Sequence, residues 1–273
     1  MKRILITGAN SYIGTHIEAY LRRFPAQFET ETLPMRSHTP DEYDFHSADA
    51  VVHVAAIVHR KEMGNDAPLY DAVNRGLAVA VAEKAKREGV KQFVFFSTMA
   101  VYGMIEGVVT EKTVPDPKTL YARSKLMAER GVAALADGTF FVTILRPPVV
   151  FGPGAKGNPA RIDRLAKALP FCPDFENRRS MVSIDTLCEN VKALLDEPRS
   201  GIFFPQEPEP LATRELIERA MREQGRTPKR SKFLNPAIRV FRACTTAGKK
   251  AFGDLVSRDL KELPLPDGEE ETP

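Results

Sequence analysis

The sequence predicts an α/β fold in which a doubly wound parallel sheet carries a small C-terminal lobe. Short apolar runs alternate with helical patterns up to residue 145, and this alternation is typical of parallel strands covered by helices on both faces. After Arg146 the chain becomes rich in proline and glycine, and its elements become shorter. We therefore expect the main fold in residues 1–146, a lobe formed mostly by residues 147–266 and a disordered acidic tail over residues 267–273.

The apolar patterns predict the individual elements. Strands are expected at residues 3–7, within 28–35, and at 50–56, 90–97, 140–145, 180–184 and 201–204. Helices are expected at residues 12–24, 69–88, 119–136, 160–168 and 185–196. The polar stretch 36–48 is interpreted as a loop, so the helix that usually joins the second and third strands is expected to be missing.

Composition excludes several classes of protein. The net charge of +3 over 273 residues implies no nucleic-acid partner. The three cysteines form no C-x-x-C pair, so neither a metal site nor a disulfide framework is expected, and a reducing cytoplasm fits. The apolar run at Ile4–Ile6 is too short for a signal peptide or a transmembrane span.

A glycine-rich turn follows the first expected strand and leads into the first helix. Gly8 and Gly14 enclose it, and Ser11 stands where a further glycine is usual. Small residues allow the backbone to approach a pyrophosphate, and the helix N-terminus supplies N–H donors and a positive dipole end. Serine is small and can donate to a phosphate. The turn therefore predicts a dinucleotide site.

The end of the second strand bears on the choice of cofactor. The acidic residue that usually holds the adenosine ribose is missing there, and Arg36 and Ser37 stand in that region. They can face a 2′-phosphate, or they are solvated loop residues. NAD is the predicted cofactor, and NADP stays open.

Tyr121 and Lys125 lie four residues apart, hence on one face of an expected helix. An ammonium near a phenol stabilises the phenolate and lowers the pKa of the phenol, which can then take a proton from a sugar hydroxyl. The pair alone arises often by chance. Ser97 and Thr98, however, end the fourth expected strand, where ligands bind in open α/β sheets, and a hydroxyl there can bond the substrate oxygen. Together these residues predict a nicotinamide-dependent enzyme.

These motifs resemble those of the extended short-chain dehydrogenase/reductases, and more narrowly the NAD-dependent epimerase/dehydratase family acting on nucleotide sugars. The similarity covers about residues 1–205 and is carried by Thr7–Gly14, His53–Ala56, Asn74, Phe96–Gly103, Tyr121–Lys125, Leu145–Pro147, Phe151–Gly154 and Arg179–Asp185. The resemblance implies a Rossmann fold, a nucleotide-diphosphate sugar as substrate, a role in making cell-surface polysaccharide precursors, and a homodimer through the helices near 70–88 and 119–136.

The resemblance also assigns roles to residues. It makes Thr98, Tyr121 and Lys125 the catalytic triad, with Thr98 and Tyr121 also touching the substrate. The expected cofactor contacts are Gly8, Asn10, Ser11, Tyr12, Ile13, Gly14, Arg36, Ala55, Ala56, Tyr121 and Lys125. Arg179 resembles the arginine that holds the substrate diphosphate, a task that suits a bidentate guanidinium. The other interpretation of Arg179 is a surface arginine.

The residues after Thr98 bear on the reaction. Dehydratases of the resembled family carry Asp-Glu there, because elimination of water needs an additional acid and base, whereas this chain has Met99 and Ala100. Elimination is therefore disfavoured. We predict a nucleotide-sugar 4-epimerase, with an NAD(P)H-dependent 4-keto-sugar-nucleotide reductase as the alternative. A non-catalytic dinucleotide-binding sensor is disfavoured, because Tyr121 and Lys125 are both present.

The segment 226–250 is strongly basic. Eight Lys or Arg and no Asp or Glu occur between Gly225 and Gly253, interleaved with apolar residues. One interpretation is a solvated helix that packs on the lobe. The other is a weak contact with a membrane surface, through anionic lipid or a polyprenyl-phosphate partner.

Overall fold

The computed structural model describes residues 1–35, 39–58, 65–155, 157–260 and 262–266. The strands are β1 (Lys2–Thr7), β2 (Phe28–Leu33), β3 (Ala50–His53), β4 (Gln92–Phe96), β5 (Gly107–Val109), β6 (Phe141–Leu145), β7 (Val149–Phe151), β8 (Cys172–Pro173), β9 (Met181–Ser183), β10 (Gly201–Phe203), β11 (Arg230–Ser231), β12 (Leu255–Ser257) and β13 (Glu262–Leu263). The helices are α1 (Tyr12–Leu21), α2 (Ala67–Tyr70), α3 (Leu77–Arg87), α4 (Leu120–Ala133), α5 (Asn158–Ala168), α6 (Ile184–Asp196), α7 (Thr213–Glu223), α8 (Asn235–Cys244) and α9 (Thr246–Phe252).

Seven strands of the described residues form the central sheet, in the order β13-β10-β6-β4-β3-β1-β2. The pairs are parallel except for β10 with β13, which is antiparallel. In this sheet β2 lies on one side of β1, and the next strand along the chain, β3, lies on the other side. Such a reversal opens a crevice at the carboxyl ends of the strands, where ligands bind in open α/β sheets. The predicted doubly wound α/β class is confirmed.

Helices cover both faces of the sheet. On one face, α3 and α4 pack alanines and valines against the strands. On the other, α1 and α6 pack their apolar stripes against them. Strands buried on both faces carry few polar residues, which explains why Phe93–Phe96 forms an uninterrupted apolar run.

Most expected elements are present with shifted ends. The strand expected at residues 50–56 ends at His53, and the helix expected at 12–24 ends at Leu21. The helix expected at 69–88 is divided into α2 and α3 by a π-helical turn at Asp71–Gly76. Between β2 and β3 the described residues contain only a 3₁₀ turn at Pro40–Glu42, in agreement with the expected loop.

The chain after residue 146 contributes to two regions. β10 and β13 join the central sheet, and α6 packs on α1. Helices α5, α7, α8 and α9 form the lobe around smaller apolar clusters. The expected boundary at residue 146 coincides with the change in amino-acid composition. The central sheet nevertheless contains strands from both sides of this boundary, since β10 pairs with the edge of β6 that would otherwise be unpaired. The expected acidic tail, 267–273, lies outside the described residues.

Each helix in the described part of the chain is too short or too polar to cross a membrane.

Candidate active site

The glycine turn lies against the end of β3. Gly8 follows β1 with φ of +88°, a conformation that side chains rarely adopt. A Cβ added to Gly8 would lie 3.0 Å from the main-chain nitrogen of Ala55, and one added to Gly14 would lie 3.1 Å from a methyl carbon of Val54. The turn therefore has room for backbone alone, and a dinucleotide pyrophosphate fits such a cradle.

The start of α1 completes this cradle. Ser11 is the N-cap, and its Oγ accepts a hydrogen bond from the Gly14 N–H at 3.0 Å, so its own hydrogen stays available to a phosphate. Asn10 holds a φ of +66°, and the helix begins at Tyr12 and Ile13. The structure thus gathers the predicted pyrophosphate contacts at one helix N-terminus.

Asn74 fixes the segment that faces this turn. Its side-chain oxygen accepts from the Ile57 N–H at 2.7 Å, and its amide donates to the Ile57 carbonyl at 3.2 Å and to Ser124 Oγ at 3.0 Å. Asn74 is completely buried in the π-helical turn. It therefore ties the predicted cofactor contacts Ala55 and Ala56 to helix α4. Sequence reasoning had assigned Asn74 no role, and its signal was a polar residue in an otherwise buried pattern.

Thr98 and Tyr121 are hydrogen-bonded to each other at the carboxyl edge of the sheet. Thr98 follows β4, and its Oγ1 also accepts from the Ala100 N–H at 3.1 Å. Tyr121 lies in the first turn of α4, which Thr119 caps. The sequence therefore predicted correctly that these two hydroxyls meet.

The pKa of Tyr121 moves opposite to the predicted direction. Removal of the phenol from water raises its pKa to about 12, the bond from Thr98 lowers it and Tyr70 raises it further. The pKa of the phenol is therefore raised and not lowered as expected, because desolvation penalises the phenolate more than the hydrogen bond from Thr98 stabilises it.

Lys125 lies one turn further along α4 and is 2% exposed. Its ammonium donates to the Phe96 carbonyl at 2.7 Å and lies 4.6 Å from the centre of the Phe95 ring. Burial lowers its pKa to about 7, and Glu129 opposes this shift. Lys125 thus ties α4 to the end of β4, two residues before Thr98.

A buried ion pair lies one helical turn beyond Lys125. Glu129 is completely buried and accepts from Arg146 Nε at 3.0 Å and from the hydroxyl of Ser97. Arg146 also donates to the Tyr102 hydroxyl at 2.8 Å. The Ser97 hydroxyl is therefore engaged by Glu129, whereas the Thr98 hydroxyl is bonded to Tyr121. Sequence reasoning missed this network, since its partners are 17 to 44 residues apart.

His53 is a second buried group beside the triad. Its Nδ1 lies 2.9 Å from Thr7 Oγ1. Burial first, and then the charge of Lys125, lower its pKa to about 3, so the imidazole is neutral at physiological pH. It links β1 to β3 without competing with Lys125 for a proton.

Residues 4–203 match the sequence model of the NAD dependent epimerase/dehydratase family. The chain belongs to this family. The UDP-glucose 4-epimerase of Vibrio cholerae is 31% identical over 244 residues, which are 79% of this chain and 74% of that protein. The N-acetyl-alpha-D-glucosaminyl-diphospho-ditrans,octacis-undecaprenol 4-epimerase of Escherichia coli O157:H7 is 30% identical over 218 residues, 72% of this chain and 64% of that one.

A solved structure shows the same fold as this family member. It is the UDP-glucuronic acid 4-epimerase of Bacillus cereus in complex with NAD, with a TM-score of 0.69 at 20% identity, covering 94% of this chain and 88% of that one. The predicted family, the Rossmann fold, the enzyme class and NAD(P) as the cofactor class are confirmed.

Two further predicted site residues are Arg36 and Arg179. Arg36 falls outside the described residues. Arg179 is 6% exposed, and its Nη1 donates to the Gly253 carbonyl at 2.8 Å. Burial lowers the pKa of Arg179. Its contact with a substrate diphosphate stays a prediction.

Proposed function

We propose that this chain is a 4-epimerase whose substrate is a nucleotide-diphosphate sugar and which acts by reversible hydride transfer. One observation carries the proposal: in the described part of the chain, the hydrogen-bonded Thr98 and Tyr121 are followed by no acid–base pair of the kind that elimination needs. The positions after Thr98 are Met99 and Ala100. The carboxylate one turn beyond Lys125 is Glu129, which Arg146 neutralises. Elimination of water needs a further acid and base, and hydride transfer does not.

The glycine cradle and the triad divide the work. When bound, the nicotinamide cofactor supplies a reversible hydride acceptor. Gly8, Ser11 and the N-terminus of α1 would hold its pyrophosphate, and Lys125 its nicotinamide ribose. The two relatives named above act on sugars joined to a diphosphate, which supports that substrate class.

Tyr121 moves the proton at the reacting oxygen. With a pKa of about 12 the phenol is protonated near neutral pH, so it is ready to donate to a carbonyl oxygen that receives hydride. In the oxidising direction the phenolate must be stabilised, and the ammonium of Lys125 one turn away can do this. Thr98 keeps the sugar oxygen within reach of Tyr121.

Arg179 is the candidate contact for the substrate diphosphate. Its bonds within the described residues use only Nη1, so Nε and Nη2 have donors for an anion. An anion here would also offset the cost of burying the guanidinium, which the lowered pKa of Arg179 reflects.

Mass spectrometry of protein purified without added cofactor tests the proposal. We expect NAD to be released on denaturation, and the protein to interconvert UDP-glucose and UDP-galactose, or their N-acetylated forms, without added cofactor. Tyr121→Phe should lower turnover by about 10²- to 10⁴-fold. Tyr20→Phe, which removes a hydroxyl on α1 away from the triad, should leave it unchanged. A protein that holds no NAD and consumes NADPH with a 4-keto-sugar nucleotide would be the reductase instead.

A further inference from the structure

The outward face of α8 is apolar. Pro236, Ala237, Val240, Phe241 and Cys244 are all exposed, and their spacing places them on one side of the helix. We call these five residues the α8 face. The side chains of Val240 and Phe241 are 62% and 42% exposed. An ordinary surface helix turns such residues inward.

The inward side of α8 is occupied by other residues. Ile238 packs with Phe175 and Phe252 in an apolar cluster. Arg242 donates to Glu106 at 2.8 Å and also pairs with Asp254. The helix is thus already anchored to the lobe, and the α8 face is not required for that packing.

Phe233 extends the apolar surface just before the helix. It is 79% exposed, and its ring lies edge-on to that of Phe171, with 6.4 Å between the ring centroids. Among the other described residues, large exposed apolar side chains occur mostly as scattered residues, such as Val114. A run of exposed apolar residues marks an interaction site more often than scattered ones do.

The segment that contains this surface is rich in positive charge. Residues 225–253 carry eight Lys or Arg and no acid. Arg230 and Arg242 form ion pairs, and Arg226 donates to main-chain carbonyls. The remaining five form no ion pair within the described part of the chain: Lys229, Lys232, Arg239, Lys249 and Lys250. Three of these, Lys232, Arg239 and Lys249, line a pocket that also contains Glu106, Asp174 and Glu176, so the segment keeps an excess of positive charge but is not free of acids nearby.

We propose that the α8 face and Phe233 bind the surface of an anionic lipid bilayer. A helix with apolar side chains toward the acyl boundary and Lys or Arg at headgroup level lies in the membrane interface. Anionic lipid adds attraction at each cation. A second copy of the chain fits less well, because face-to-face contact would bring two copies of this basic segment together. The inference does not depend on the proposed function.

Co-sedimentation of the full chain with vesicles tests the inference. We expect binding to vesicles that contain phosphatidylglycerol and phosphatidylcholine, weaker binding in high salt, and little binding to phosphatidylcholine alone. Val240→Ser with Phe241→Ser should weaken binding at least about tenfold. Val114→Ser, which alters a still more exposed apolar side chain elsewhere, should bind like the wild type.

Charge variants separate the two contributions. Each cation near an anionic surface raises the partition coefficient about fivefold, so Lys232→Gln with Lys250→Gln should lower it by about 25-fold. Cys244 offers a direct probe, since it is exposed while the other two cysteines are buried. A polarity-sensitive dye on Cys244 should shift to the blue when phosphatidylglycerol vesicles are added.

Three outcomes would overturn the inference. Binding that ignores phosphatidylglycerol content, or no binding at all, excludes an anionic membrane. Wild-type binding by the Val240/Phe241 variant excludes this face. A dimer that the same variant dissociates in size-exclusion chromatography assigns the face to a second copy. Activity on water-soluble sugar nucleotides is measured separately, so failure here leaves the proposed function untouched.

Discussion

Replacing Lys125 with methionine should make the protein more stable at low pH while abolishing catalysis. The pKa of Lys125 falls from 10.5 to about 7 on burial. Because the pKa of Lys125 is lower in the folded protein, the unfolded chain binds the proton more readily between pH 10.5 and about 7. The folded protein is therefore increasingly destabilised as the pH falls through this range, and the full penalty is present below pH 7. A shift of this size corresponds to about 5 kcal/mol, and Lys125 is only 2% exposed, so solvent screening is small.

The lost hydrogen bond to Phe96 works against this gain. It contributes about 1–2 kcal/mol at every pH. Lys125→Met should therefore be more stable than the wild type by about 3 kcal/mol at pH 6.5. Between pH 7 and 10.5 the wild type sheds its penalty, so the advantage should disappear near pH 10.

Equilibrium unfolding in urea at pH 6.5 and pH 10, followed by circular dichroism, measures this difference. Lys118→Met, at an exposed ion pair with Asp116, is the control and should change the unfolding free energy by less than about 1 kcal/mol at both pH values. If Lys125→Met is destabilised equally at pH 6.5 and pH 10, burial of the ammonium carries no cost and the reasoning fails.

Further substitutions test the cradle and its supports. Gly8→Ala should weaken NAD binding strongly and cost about 1–3 kcal/mol of stability, whereas Gly138→Ala, with no atom within 4 Å of the added methyl, should bind NAD normally in a calorimetric titration. Glu129→Ala leaves Arg146 buried without its carboxylate and should cost about 3–5 kcal/mol in urea unfolding. Asn74→Ala should cost about 1–3 kcal/mol and lower NAD affinity; unchanged affinity in the same titration would show that Ile57 needs no anchor.

The sequence carried enough information to predict the parallel sheet and the meeting of Thr98 with Tyr121. Both follow from local patterns, namely strand ends, helix spacing and a glycine turn. The bond from Lys125 to Phe96 and the support of Glu129 were not predictable, because they depend on how α4 packs on the sheet. The direction of the Tyr121 pKa was predicted wrongly for the same reason.

Helix segments show where periodicity alone falls short. The π-helical turn that carries Asn74 interrupts a pattern that predicted one continuous helix. The basic residues near α8 were visible in the sequence, but which side of the helix faces solvent depends on the packing of Ile238 against Phe175. Charge composition therefore predicted a candidate surface, and the fold defined its apolar face.

Transfer of an isotope tests the central claim most directly. Purified protein is incubated with UDP-glucose deuterated at C4, in ordinary water and without added cofactor, and the 4-epimer is analysed by NMR and mass spectrometry. If UDP-glucose is not turned over, the N-acetylated sugar nucleotide is used in the same way. Reversible hydride transfer beside Thr98 and Tyr121 predicts that the epimer keeps its deuterium at C4. Product whose C4 deuterium has exchanged for solvent hydrogen would contradict the account.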